Sequence, residues 1–139
     1  KVKTPTLAGK YSEEFNIYAG PKETLQNSIS LFKSVASENG REEKKLEITT
    51  ACPPVVGLTK ESVDNSLISA AKALIQPEDE IAKNWQDRSY LYGTPEDVVK
   101  TLSMWQEVGI EAVYLQLLDL EESKRDESVE VIQKAINLL

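Results

Sequence analysis

The apolar positions of residues 91–118 predict a helix followed directly by a strand. Val98, Leu102 and Trp105 recur at helical spacing and give one apolar stripe. A Thr-Pro-Glu-Asp phrase at the start supplies a capping residue, a first-turn proline and acidic groups that favour a helix N-terminus. Gly109 stands where a left-handed C-terminal cap is expected. The helix is therefore bounded at both ends by local signals.

The segment after Gly109 is almost continuously apolar, with the sequence Glu-Ala-Val-Tyr-Leu-Gln-Leu-Leu over residues 111–118. A strand with one face in solvent normally alternates apolar and polar residues, whereas a strand covered on both sides does not. The pattern predicts a strand buried on both faces, as is typical of a parallel sheet.

Earlier segments repeat this order of elements. A helix is predicted between Pro21 and Gly40, and a strand follows that ends at Pro53 and Pro54. A further helix is predicted from a Thr59 cap until the Gln-Pro-Glu-Asp-Glu phrase breaks it. The apolar stripes of these two helices are Leu25, Ile29, Phe32 and Ala36, and Val63, Leu67, Ala70 and Leu74. Short strands are predicted within residues 13–18 and 89–93, and a last helix carries Val129, Ile132 and Ile136.

Helices and strands that alternate with short connections predict an α/β fold, with parallel strands joined by right-handed crossovers. The length and the 40% hydrophobic content fit one unit over residues 1–139. Two architectures remain open on periodicity alone: a small open doubly wound sheet, or half of an eight-stranded β/α barrel, which takes about 250 residues.

Composition excludes several classes of chemistry. The formal charge of −7 disfavours nucleic acid and anionic membrane surfaces as partners. Cys52 is the only cysteine and histidine is absent, so we predict no disulfide, no metal site and no imidazole base. No apolar run reaches the roughly 20 residues of a membrane span, and we expect a cytoplasmic protein. The chain begins at Lys1, which we interpret as compatible with a processed or truncated protein.

The phrases TLAGKYSEEFNIY, SENGREEKKLEITT and YLYGTPEDVVKTLSMWQEVGIEAVYLQLLD together resemble the C-terminal half of luciferase-like monooxygenases. The resemblance covers nearly the whole chain in the same order. It implies the C-terminal half of an eightfold β/α barrel, with about four parallel strands and helices outside. It also implies part of a flavin- or deazaflavin-dependent oxidoreductase, which in the intact protein uses FMN or a deazaflavin coenzyme and a small-molecule substrate.

The glycine-rich phosphate loop of that family has no counterpart here, so we predict that this chain alone binds no flavin and is inactive. The open sheet edges, and an inner face around Ile17, Ile48 and Val113, would need a cover. The predicted partner is the missing N-terminal half or a second copy. The alternative is a non-enzymatic α/β module that self-assembles through its open edge. A nucleotide-binding doubly wound domain is disfavoured because its glycine phrase is absent.

Barrel enzymes carry their chemistry at the C-terminal ends of strands. Those positions here are Asn16, Tyr18, Cys52, Pro53, Tyr92, Gly93, Leu118 and Asp119. By resemblance, Asn16 is the predicted cofactor-binding residue, and the other interpretation is that it forms a turn. No catalytic residue is assigned.

Four side chains have simpler interpretations than a role in a site. Arg41 can meet an anionic ligand, but a cation after a helix C-terminus is favoured electrostatically without one. Cys52 is predicted to be a small buried apolar residue rather than a reactive thiolate. Glu13 and Glu14 are adjacent and point to opposite faces of a strand, so they are not an acid/base pair.

Overall fold

The computed structural model describes residues 2–42, 45–118 and 122–139. The helices are α1 Lys3–Tyr11, α2 Lys22–Glu38, α3 Lys60–Leu74, α4 Glu78–Asp87, α5 Pro95–Val108 and α6 Glu122–Ile136. The strands are β1 Glu14–Tyr18, β2 Glu47–Cys52, β3 Val55–Val56, β4 Tyr92–Gly93 and β5 Ala112–Leu115. Helices dominate, and helices and strands mostly alternate as predicted, except that β3 follows β2 directly and α4 follows α3 directly.

The strands form two small parallel sheets. A three-stranded sheet has the order β1-β2-β5, and β3 pairs with β4 in a separate two-stranded sheet. Phe15 lies opposite Ile48, and Thr50 lies opposite Val113. The predicted α/β class with parallel strands is confirmed. The predicted end of a strand at Pro53 and Pro54 is confirmed by β2, which ends at Cys52, because prolines donate no backbone hydrogen bond and interrupt the ladder. The short strand β3 after the prolines was not predicted.

The helices that the sequence predicts most clearly have their boundaries set by local chemistry. Thr59 is the N-cap of α3, and its hydroxyl accepts a hydrogen bond from the Ser62 N–H at 3.1 Å. Thr94 precedes α5, whose first residue is Pro95, and Gly109 ends that helix with φ +90°. These starts and stops agree with the predicted ones because caps depend on neighbouring residues only.

One face of the three-stranded sheet packs against the helices. Phe15 and Ile17 of β1 are buried, and the Phe15 ring lies 4.9 Å from the ring of Phe32 in α2. Ile48 of β2 is buried in the same core. The inner face was predicted to carry Ile17, Ile48 and Val113 or their neighbours in sequence; the three named residues lie on this helix-facing side, and it is their neighbours that lie on the other face. These apolar side chains face the helices because burial against the helices removes their surface from water.

Helix α1 lies against α2 through a close backbone approach at Gly9. A Cβ atom at this position would stand 2.7 Å from the carbonyl oxygen of Phe32 and 2.8 Å from Cβ of Val35. Any larger residue at this position would push the two helices apart.

A second, smaller core lies between α3, α4 and β3. It contains Val55, Ala70, Ala71, Ile81 and Trp85. The Trp85 Nε1–H donates to the carbonyl oxygen of Pro53 at 2.7 Å, which ties α4 to the segment between β2 and β3. Helix α4 was not predicted from the sequence, since the Gln-Pro-Glu-Asp-Glu phrase was interpreted only as a break.

Several predicted burials are wrong in detail. Strand β5 is not buried on both faces, because Tyr114 is exposed and its neighbours are half-buried. Leu74, at the end of the α3 stripe, and Val129 and Ile136, in α6, are also exposed. In α6 the buried residues are Ser128, Val131, Ile132 and Ala135. Among the described residues, no helix is both long enough and apolar enough to span a membrane.

Candidate functional site

The second face of the three-stranded sheet is polar and open to solvent. Side chains alternate between the faces of a strand, and partners in a parallel ladder share a face. The open face, as we call it, therefore carries Glu14, Asn16, Tyr18, Glu47, Thr49, Ala51, Ala112 and Tyr114. Most of these side chains are exposed, whereas those on the opposite face are packed by helices. This face is the candidate functional site.

A chain of side-chain hydrogen bonds joins β1 and β2 on the open face. The Asn16 Nδ2 group donates to Thr49 Oγ1 at 2.8 Å, and Thr49 Oγ1 donates to Glu14 Oε1 at 2.5 Å. Thr49 is fully buried beneath its neighbours although its residue type is polar. The hydroxyl of Thr49 is thus satisfied as donor and as acceptor, and it holds both Asn16 and Glu14 in place.

Two carboxylates and a phenol meet at one end of the open face. Glu14 and Glu47 are direct register partners, so their side chains lie side by side. Repulsion by the Glu14 carboxylate raises the pKa of Tyr114, and desolvation, a hydrogen bond to Glu14 and the charge of Glu47 act in the same direction. Tyr114 therefore stays a neutral hydrogen-bond donor well into alkaline solution.

The structure places Asn16 in the middle of β1 rather than at its end, because the strand continues to Tyr18. Its side chain does lie on the open face, bonded to Thr49. Its cofactor-binding role stays a prediction. Tyr18 ends the strand on the same face and is 82% exposed. Asn16 and Tyr18 are thus brought together on one surface.

Cys52 ends β2 on the helix-facing side and takes no part in the open face. It is fully buried, and this burial raises the pKa of its thiol to about 11, against a smaller opposing effect of a backbone hydrogen bond at Leu91. A thiol in this environment is neutral and unreactive at ordinary pH. The prediction of a small buried apolar residue is confirmed.

Arg41 has a structural role at the C-terminal end of α1. Its Nη1 group donates to the carbonyl oxygens of Ala8 at 3.2 Å and Gly9 at 2.9 Å. A helix leaves its last carbonyls without intrahelical partners, and a cation there also suits the helix dipole. The guanidinium stabilises a neighbouring helix rather than its own, which the sequence alone did not indicate.

A separate cavity lies beside β4, between α3, the end of α4 and the start of α5. Its volume is about 690 Å³, and Tyr92, Gly93 and Thr94 form part of its wall together with Lys60 and Lys100. Burial, and then the charge of Asp64, raise the pKa of Tyr92. Asn16 does not line this cavity. Of the predicted strand-end residues, Asn16 and Tyr18 therefore lie on the open face, and Tyr92 and Gly93 line this cavity.

The remaining strand-end residues add little to the open face. Pro53 provides the carbonyl that binds Trp85, and Leu118 packs against the second core. Asp119 lies outside the described residues. Among the described residues, no group of three or more acidic or cysteine side chains is placed to hold a metal ion.

Sequence reasoning missed Glu14, Glu47, Thr49 and Tyr114 as members of the site. A period of two along β1 was sufficient to place Glu14 and Tyr18 on the face of Asn16. The register between β1 and β2 was not available from either strand alone, so the pairing of Glu14 with Glu47 required the structure. The sequence analysis considered Glu14 as a possible acid/base pair with Glu13, its neighbour in sequence. The carboxylate that lies beside Glu14 is that of Glu47, its partner on the adjacent strand.

The open face can orient a polar planar ligand but offers no counter-charge for an anion. Asn16 and Tyr114 are hydrogen-bonding groups, and Tyr18 is an exposed ring on which a flat molecule can stack. The described positions of this face include two carboxylates and no lysine or arginine. A phosphate group would therefore need cations from elsewhere.

Solved structures with this fold are known. An F420-dependent secondary alcohol dehydrogenase, solved with an F420–acetone adduct, aligns over 96% of this chain and 46% of its own, with a TM-score of 0.69 and 21% identity. The F420-dependent tetrahydromethanopterin reductase of Methanopyrus kandleri aligns over 99% and 48%, with a TM-score of 0.68 and 14% identity. A monooxygenase from Streptomyces bottropensis aligns over 99% and 45%, with a TM-score of 0.66 and 15% identity.

These proteins have the luciferase-like monooxygenase fold, and the chain spans about half the length of each. At this level of identity the similarity establishes the fold. No family model and no curated protein matches the sequence.

Proposed function

We propose that this chain is the C-terminal half of a β/α-barrel oxidoreductase that uses a flavin or a deazaflavin such as F420. The open polar face of the three-stranded sheet is the observation that carries the proposal. Half of such a barrel is a parallel sheet covered by helices on one side only, which leaves its other face for the interior. Here that face carries hydrogen-bonding side chains, which suit an interior that holds a ligand. The structural neighbours named above support the same function, since their names include F420-dependent enzymes and a monooxygenase.

The residues of the open face fit one part of such a cofactor and not another. A flavin-type ring has carbonyl and N–H groups at its edge, which match Asn16 and Tyr114 as donors and acceptors. Its phosphate is anionic and would be repelled by Glu14 and Glu47. We therefore expect the ring to lie against this face, and the phosphate to be held by residues outside residues 1–139.

The chain's own residues would bind and orient rather than transfer electrons. When bound, the cofactor supplies hydride or oxygen chemistry. The Asn16 amide, held by Thr49, would fix the edge of the ring in one direction. Tyr18 would exclude water from one side of the ring. Tyr114 would keep its proton because Glu14 raises its pKa, and since that proton is donated to Glu14, the hydroxyl oxygen would serve as an acceptor for an N–H of the ring.

The first test compares the isolated chain with a protein that contains the whole barrel. We expect titration of the isolated chain with FMN or F420 to give no micromolar binding, because its open face lacks a cation for the phosphate. In the complete barrel, Asn16→Leu should weaken cofactor binding about tenfold, the effect of one lost hydrogen bond to a polar ring. Equilibrium titration monitored by cofactor fluorescence measures both.

Asn84→Leu is the matched control, since Asn84 is exposed on α4 away from the open face. It should leave cofactor affinity unchanged. Stoichiometric flavin on the purified isolated chain would contradict the expected division of the cofactor site. Equal affinity in the Asn16→Leu variant and the Asn84→Leu variant would remove Asn16 from the site.

A further inference from the structure

Three side chains on the open face form a chain of hydrogen bonds whose direction is fixed by the residue at its end. Asn16 Nδ2 lies 2.8 Å from Thr49 Oγ1, and Thr49 Oγ1 lies 2.5 Å from Glu14 Oε1. A carboxylate has no hydrogen to donate, so Glu14 accepts. The single hydrogen of the Thr49 hydroxyl is therefore donated to Glu14. We call these three side chains the relay.

The orientation of the Asn16 amide follows from the direction of the relay. Once Thr49 Oγ1 has donated its hydrogen to Glu14, it offers only lone pairs to Asn16, and only the Nδ2 end of the amide binds to a lone pair. The carbonyl oxygen Oδ1 is then the end of Asn16 that is left for a ligand. An asparagine without such a neighbour can present either end, because the terminal torsion of its amide has two nearly equivalent positions.

Thr49 is placed to hold this orientation without contacting a ligand itself. It is fully buried on β2, the central strand of the sheet, whereas Glu14 and Asn16 on β1 are exposed. If the Asn16 amide were turned over, its oxygen would face the Thr49 oxygen, and a buried hydroxyl would lose one of its two partners. Such a loss is unfavourable because buried polar groups need their hydrogen bonds.

A second hydroxyl on the open face has the same orientation with respect to Glu14. Tyr114 makes a hydrogen bond to Glu14, and a phenol beside a carboxylate is the donor. Its oxygen keeps a lone pair, which is an acceptor like Oδ1 of Asn16. Glu14 thus takes the hydrogens of two neighbouring hydroxyl groups. A ligand group that binds to Asn16 Oδ1 or to the Tyr114 oxygen must bring a hydrogen of its own.

We infer that Glu14 and Thr49 are positioning residues that make Asn16 a hydrogen-bond acceptor, so that the ligand group that meets Asn16 is an N–H donor. This inference rests on the proposed function, in which the ligand is a flavin or deazaflavin ring. The pyrimidine half of such a ring carries an imide N–H between two carbonyls, and the benzenoid half carries no such group. The pyrimidine half therefore lies against β1.

The first test measures the orientation of Asn16 in the 139-residue chain. Two-dimensional ¹H–¹⁵N NMR follows solvent exchange of the side-chain amide hydrogens, with exposed Asn84 as the reference. Exchange at Asn16 should be about fivefold slower than at Asn84, the factor that corresponds to one net hydrogen bond. Thr49→Val, which keeps the shape of the buried side chain, should remove this difference. Thr49→Ser, which keeps the hydroxyl, should preserve it.

The second test measures the kind of ligand group that Asn16 accepts, in a protein that contains the whole barrel. FMN or F420 is compared with the same cofactor methylated at its imide nitrogen, which keeps both carbonyls and lacks the donor. The unmethylated cofactor should bind about tenfold more tightly, and Thr49→Val should reduce this ratio to about threefold or less. Thr49→Ser should preserve the ratio.

Two exposed carboxylates provide a matched pair of variants for the same ratio. Glu14→Gln should lower it as Thr49→Val does, because a glutamine amide can donate to Thr49 and so reverse the relay. Glu47→Gln removes an equal charge from the register partner of Glu14 and should leave the ratio unchanged. Both positions are exposed, so both variants should fold.

Three results would overturn the inference. The first is an Asn16 amide that exchanges equally fast in the original chain and in the Thr49→Val variant. The second is an equal preference for the unmethylated cofactor in these two proteins, and the third is an equal fall of that preference in Glu14→Gln and Glu47→Gln. Absence of cofactor binding by the complete barrel would instead refute the proposed function and the ring contact with it, while slow exchange at Asn16 would still support the orientation of the amide.

Discussion

The two faces of the β1-β2-β5 sheet are made by the same strands and have opposite physical character. On one face Phe15, Ile17 and Ile48 pack under helices, and on the other Glu14, Asn16 and Tyr18 remain in solvent. Each strand contributes to both faces because its side chains alternate. One face therefore stabilises the chain, while the other is available to a ligand or a partner.

Each face carries one group whose pKa is raised, and the causes of the two increases differ. Burial raises the pKa of Cys52 on the helix-facing side, whereas the charge of Glu14 is the first cause for Tyr114 on the open side. A titration shift alone does not tell which face a group lies on. The dependence of that shift on salt does, since screening acts on exposed charges.

The largest expected effect is the loss of an aromatic ring from β1 on the packed face. Phe15→Ala should lower the free energy of unfolding by about 3–5 kcal/mol, because Phe15 is 4% exposed and contacts Phe32. Tyr18→Ala, three residues later on the open face, should change it by less than about 0.5 kcal/mol. Urea denaturation monitored by circular dichroism measures both. Similar losses for the two variants would show that the open face is also packed in solution.

An intermediate effect is expected from pH on the packed face. The folded thiol of Cys52 ionises near pKa 11 and the unfolded thiol near 9, so its contribution to stability is complete below pH 9 and is lost as pH rises towards 11. As the pH rises from about 8 to about 10, ionisation of this thiol should lower the free energy of unfolding by about 1 kcal/mol. The measurement is urea denaturation across that range. Cys52→Ala is the control and should remove this part of the pH dependence, and an identical profile in both proteins would contradict the assignment.

The smallest effect concerns Tyr114 on the open face. Glu14→Gln should lower the pKa of Tyr114 towards its ordinary value, because the first cause of its shift is removed. Added salt should act in the same direction for Tyr114 and leave the Cys52 profile unchanged. NMR of the tyrosine ring carbons follows the titration, with Tyr114→Phe to assign the signal. If neither the Glu14→Gln substitution nor added salt changes the pKa of Tyr114, Glu14 does not lie beside it.

Local signals in the sequence predicted much of this fold. The ends of α3 and α5 follow from Thr59, Thr94 and Gly109, since a cap needs only nearby residues. Helix α4 escaped prediction because its apolar residues are only Ile81, Ala82 and Trp85, in a segment otherwise polar. The neighbour relation of β2 and β5 is set by long-range packing, which no local pattern specifies.

The candidate site was less predictable than the fold. Asn16 was identified through resemblance, and the residues that hold it, Thr49 and Glu14, depend on the register of two strands. The interior was expected to be lined by Ile17, Ile48 and Val113 or by their neighbours in sequence, and the sequence did not choose between the two sets. Alternation along a strand tells which residues share a face, but not which face the helices cover.

The central place of β2 also has a consequence for the order of folding. Its contact with β1 joins residues 33 positions apart, as from Asn16 to Thr49, whereas its contact with β5 closes a loop nearly twice as long, from Thr49 to Ala112. Closure of the longer loop costs more entropy, by roughly 0.6 kcal/mol per doubling of length, and it also waits for α3, α4 and α5 to be arranged. Strand β5 should then be the last of the three to gain protection in pulse-labelled hydrogen exchange. Strand β5, one of the two edges of the sheet that the described residues form, would then be the strand that joins it last.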